Sequence, residues 1–132
     1  MLPAGESIVR LDADVSARSD VNGLAWSKGG GLLAAAQQDG AVRLWDLDQR
    51  TLRRSIHLTS NWLRPVVWAG GSAGGLAVAG FDGTIWVVSP EGERRGSVRA
   101  GRLPLWSLAT DASGKLLVSG ADDGTVRIWR VG

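Results

Sequence analysis

Covalent or metal chemistry needs nucleophiles, bases or ligands at workable spacings, and this chain offers few. It has one histidine, His57, and no cysteine among 132 residues. A transition-metal site would have to be built from carboxylates alone, so neither a metal nor a cofactor is expected. The lack of cysteine excludes thiolate chemistry and a disulfide framework. Asp122 and Asp123 adjoin, and paired carboxylates can divide general acid and base work. Gly124 follows them, however, so they read as a turn residue and a surface charge. His57 has no serine or threonine nucleophile at a suggestive spacing and reads as a surface residue of a strand. Gly29-Gly30-Gly31 and the glycine-rich stretch 70–75 share only the composition of phosphate loops. No Lys-Ser/Thr follows either run and neither opens a helix, so both read as hairpin turns. The inventory points away from an enzyme.

Any functional residues must then be held by short strands. Apolar residues make up 44% of the chain, enough for a packed core. Nineteen glycines between short apolar runs indicate an all-β chain. Seven tryptophans stand beside no tyrosine, and most of them are expected in the core. The isoelectric point of 9.9 invites a nucleic-acid reading, but the net charge is only +2. With almost nothing titrating between the carboxylates and Lys/Arg, a small basic excess carries it there. The arginines are scattered rather than striped, so no nucleic-acid partner is expected. No apolar run approaches the ~20 residues of a membrane span. Residues 1–20 lack a basic start followed by an apolar core, so no signal peptide is expected and the location is expected to be cytoplasmic. Richness in Ala, Gly and Arg hints at a bacterial source.

The chain says nearly the same thing three times. Leu24 to Trp45 (LAWSKGGGLLAAAQQDGAVRLW) aligns without gaps on Leu108 to Trp129 (LATDASGKLLVSGADDGTVRIW) at an offset of 84. Val66 to Val88 is a third copy, one residue longer in its middle. Asp-Gly pairs recur at Asp39-Gly40, Asp82-Gly83 and Asp123-Gly124, 43 and then 41 residues apart. A period of ~40–45 residues is that of a four-stranded propeller blade. Expected strands are 21–27, 32–36, 41–46 and 51–58, then 63–68, 75–79, 84–88 and 94–99, then 105–110, 115–119 and 125–130. A further outer-type strand is expected at Ser7–Leu11.

These strands predict an all-β propeller of three four-stranded blades, roughly 12–58, 59–99 and 100–132, with strand 7–11 completing the last blade. Three blades cannot close a ring, since propellers carry about 4–8. An open arc would expose two apolar faces and an unpaired strand edge. Copies of the same chain are the cheapest source of more blades. Two chains give six blades and three give nine. A homodimer is therefore favoured, a homotrimer is the next possibility, and a half that pairs with a different protein is another alternative.

The chain resembles the WD40-repeat family. The residues that carry the resemblance are Leu-Trp-Asp at 44–46, Ile-Trp-Arg at 128–130 and the three Asp-Gly turns, each preceded by a Leu-rich second strand. It covers the chain after about residue 7. The family's structural positions fall on Asp39 and Trp45, on Asp82, and on Asp123, Ser119 and Trp129. Its histidine falls on Ala17, Thr59 and Gly101, so no blade has it, and only the third blade keeps Asp123, Ser119 and Trp129 together. The resemblance implies a non-catalytic protein-protein interaction scaffold, and the blade count adds that its blades self-assemble, so that the expected partners are the chain itself and an unidentified protein. The alternative is an excised fragment of a longer WD40-containing regulatory protein, such as the sensor arm of a signalling NTPase or kinase. A starting Met1 and three complete blades weigh against that alternative. The family's contact positions map to Asp20, Asn22 and Gln38 in blade one, Trp62, Arg64 and Phe81 in blade two, and Pro104, Trp106 and Asp122 in blade three. Trp62 and Trp106 either stand at the binding rim or fold inward onto the neighbouring blade; Trp86 reads as packing between blades.

Overall fold

The computed structural model describes residues 10–11, 19–69 and 74–131. Eleven strands form three antiparallel sheets, with no helix among the described residues. The first sheet runs β1 (Val21–Trp26), β2 (Leu32–Gln37), β3 (Ala41–Asp46) and β4 (Thr51–His57) in sequence order. The second repeats this with β5 (Leu63–Trp68), β6 (Leu76–Gly80), β7 (Thr84–Val88) and β8 (Arg94–Arg99). The third holds β9 (Leu105–Thr110), β10 (Leu116–Ala121) and β11 (Val126–Arg130). The expected strands recur with ends shifted by a residue or two. The strand expected at Ser7–Leu11 lies, except for Arg10 and Leu11, outside the described residues, as does Ala17.

The Asp-Gly pairs build the same turn three times. Gly40, Gly83 and Gly124 have φ of 86°, 83° and 84°. Their N–H groups bond back to the carbonyls of Gln37, Gly80 and Ala121. Each aspartate accepts the N–H two residues on: Asp39 from Ala41, Asp82 from Thr84 and Asp123 from Thr125. This is a turn followed by one residue in left-handed conformation, so glycine supplies the positive φ and aspartate the cap.

Two apolar seams join the sheets. β5 packs on β1 and β2, and β9 packs on β5 and β6. The first seam buries Ala34, Ala36, Val42, Leu44 and Ile56 of sheet one against Val66, Leu76, Val78 and Val88 of sheet two, with Trp68 and Trp86 packed on it. The second gathers Ala77, Ala79, Ile85, Leu105 and Leu117, with Leu108 and Trp129 against them. Trp86 thus does pack between blades. Four tryptophans, Trp45, Trp68, Trp86 and Trp129, belong to the interior or its margins, whereas Trp26, Trp62 and Trp106 are exposed.

The expected association of Asp123, Ser119 and Trp129 forms only in part. Trp129 Nε1 donates to Ser119 Oγ at 3.0 Å. Asp123 instead caps its own turn, taking both the N–H and the hydroxyl of Thr125. Blade one uses an ion pair that the sequence reading missed. Buried Arg43 donates to Asp39 Oδ2 at 2.7 Å, to Asp39 Oδ1 at 3.1 Å and to Gln37 Oε1 at 3.1 Å. That guanidinium holds the Asp39 carboxyl below its ordinary value. A turn Asp with Arg four residues on was the available signal.

Candidate functional site

The mapped contact positions share a backbone device. The N–H of Gln38 donates to the Asp20 carbonyl, that of Phe81 to Trp62, and that of Asp122 to Pro104, at 2.9, 3.0 and 3.0 Å. In each blade this bond fastens the loop before the first strand to the turn between the second and third. The central positions, Asn22, Arg64 and Trp106, each fall where the pairing of the first two strands slips register. A bulge removes a residue from the pleat and re-aims its side chain. The same irregularity thus occurs at the mapped central position of each blade.

Blades two and three bring their residues into one cluster. The rings of Trp62 and Phe81 lie 5.0 Å apart at 49°, and Phe81 meets Trp106 edge-on at 5.3 Å and 77°. Arg64 stands over the Trp106 ring, its Cζ 4.6 Å from the centroid. Trp106 Nε1 donates to Asp122 Oδ1 at 2.7 Å. Trp62 and Trp106 stay 46% and 38% exposed, so neither is folded into the core, although Trp106 leans across the seam toward Phe81. Edge-on and tilted aromatic contacts are the favoured ring geometries, and a guanidinium over an indole adds cation–π attraction. The result is a pre-ordered aromatic row topped by a cation.

Blade one does not join this row. Asn22 turns its side chain onto blade two, where Nδ2 donates to the Leu63 carbonyl at 2.9 Å. Asp20 and Gln38 remain a polar set at their own loop, and Asp20 is itself engaged. His57 is exposed on β4, and its carbonyl accepts from Arg94. A cleft of about 430 Å³ opens between β7–β8 and β10–β11, lined by Ile85, Val87, Val98, Leu117 and Trp129 among others. None of the rim residues lines it. Among the described residues no three His, Cys, Asp or Glu gather in a group that could hold a metal, and no helix is long and apolar enough to cross a membrane.

The two ends of the row of sheets are open. On β1, Val21, Leu24 and Trp26 are exposed, and on β11, Val126 and Ile128 are exposed. A family model described as "WD domain, G-beta repeat" matches residues 6–46 and 93–130. Both segments end on a third strand, β3 or β11, and the second begins at Glu93, just before β8, and so takes in β8 as well. Together they span more than half of the sequence, and the chain belongs to the WD40 repeat family.

Proposed function

We propose that the chain is a non-catalytic scaffold whose three blades close into a six-bladed ring with a second copy and offer the aromatic row to a partner protein. WD40 domains are generally protein-interaction scaffolds. The observation that carries the reading is the Trp62–Phe81–Trp106 row with Arg64 above it, half-exposed and ordered by contacts within the chain. Tryptophan and arginine dominate interface energetics because they bury large areas at small conformational cost. Ordering the row beforehand lowers the entropy lost on binding.

Self-closure is supported by the exposed apolar residues at both ends and by the three-stranded third sheet, whose β11 edge the expected strand 7–11 of a second copy would complete. Further blades of a longer polypeptide would cover the same faces. A cytoplasmic setting goes with this reading. The test is Trp62→Ala with Trp106→Ala. The double variant should keep the assembly mass and fold of the parent and lose partner capture. Collapse to unfolded monomer would make these tryptophans core residues and end the assignment.

A further inference from the structure

The seam between blades one and two is a template for a contact whose two halves this chain also carries, uncovered, at the two ends of its row of sheets. Gly23, Ala25, Ala34, Ala36, Val42 and Leu44 form one side of that seam. At an offset of 84 their counterparts in blade three are Ser107, Ala109, Val118, Gly120, Val126 and Ile128. Val42 and Leu44 are fully buried at 0% exposure, whereas Val126 and Ile128 are 71% and 70% exposed. The other side of the template includes Val66 and Trp68, whose counterparts in blade one are Leu24 and Trp26. Val66 is 5% exposed, but Leu24 and Trp26 are 62% and 69% exposed. The chain therefore carries both halves of one joint, at opposite ends and each uncovered.

The template also fixes the register. Trp68 lies across Ala25 and donates Nε1–H to the Ala25 carbonyl at 3.1 Å. The small side chain of Ala25 leaves room for the indole, and blade three keeps alanine at that position, as Ala109. A β-carbon placed on Gly23 would stand 3.5 Å from the Val66 nitrogen but would overlap the Arg64 carbonyl oxygen, so Ser107 and Leu24 adjoin across the joint only where it opens beyond the template to admit the Ser107 β-carbon beside the carbonyl of Asn22.

We infer that Trp26 of one copy seats on Ala109 of a second, its indole N–H on the Ala109 carbonyl, with Leu24 beside Ser107 and with Val126 and Ile128 covered. The joint rests on the self-closure proposed above and specifies its chemistry. A two-fold ring makes the joint twice, and once the first has formed the second is an intramolecular closure.

Cysteine cross-linking tests the register cleanly, because the chain has no cysteine of its own. Leu24 and Ser107 are both exposed, so Leu24→Cys/Ser107→Cys should fold, with the far-ultraviolet dichroism of the parent as the check. Disulfide formation requires α-carbons within about 7 Å. On oxidation the double variant should run as a covalent dimer on a non-reducing gel and revert with reductant, while each single variant stays a single chain. Ile128→Arg should halve the solution mass of the parent. A parent that is dimeric, with no cross-link and with Ile128→Arg still dimeric, would overturn the joint and leave self-closure standing. A parent that stays monomeric overturns both.

Discussion

Trp68 gives its indole N–H to the carbonyl oxygen of Ala25, 43 residues earlier and across the seam between the first two blades. The bond ties the first strands of two sheets, as the Asn22–Leu63 bond does further along, within a seam whose other contacts are apolar. Trp68→Phe keeps most of the apolar contact and removes the donor. It should cost about 1 kcal/mol, the net worth of one such bond. Urea unfolding checks it: Trp86→Phe, on the same seam but with no hydrogen bond of this kind, should cost less.

Equivalent positions should differ in what they stabilise. Leu44 is fully buried within the chain and Ile128, its repeat counterpart, is exposed. Leu44→Ala should lower the unfolding free energy by about 2–5 kcal/mol at any protein concentration. Ile128→Ala should leave the stability of the dilute chain within about 0.5 kcal/mol and weaken assembly instead. Denaturation at two concentrations separates the effects.

The turn glycines divide in the same way. A β-carbon on Gly40 would overlap the Thr59 carbonyl, while nothing lies near one on Gly124. Both have positive φ. Gly124→Ala should therefore carry only the conformational cost, about 1 kcal/mol. Gly40→Ala adds a backbone clash and should be markedly worse in thermal unfolding.

Acid should loosen blade one. The Arg43 guanidinium lowers the Asp39 carboxyl, with the Ala41 N–H assisting and partial burial opposing. A carboxyl depressed on folding adds stability that is complete above its unfolded value, near 3.9, and is lost as pH falls through the lower folded value. The parent's melting temperature should therefore fall in that acid range. Asp39→Asn should be less stable than the parent at neutral pH, because Arg43 loses a charged partner, and the two curves should converge in acid.

The repeat was legible because Asp-Gly turns and apolar second strands announce themselves locally. Individual rim positions could be mapped as well, since each occupies a fixed place in the repeat. Their mutual arrangement could not. Trp62, Phe81 and Trp106 meet across two blades through ring angles that no spacing encodes, while Asn22, at the equivalent position, turns to bond Leu63. The Asp39–Arg43–Gln37 cluster was not legible from the family pattern, because Arg43 and Gln37 fall on none of the family's structural positions. Trp26 was hidden differently: in the sequence it matches Trp68, and only the fold shows that it stands exposed where Trp68 is packed.

Closure by a second copy is the central claim, and the mass of the intact chain in solution tests it most directly. Light scattering or native mass spectrometry across a dilution series should give twice the chain mass of 13.9 kDa, steady over the range. A mass of 13.9 kDa at every concentration would contradict the account, and a trimer would contradict the six-bladed ring.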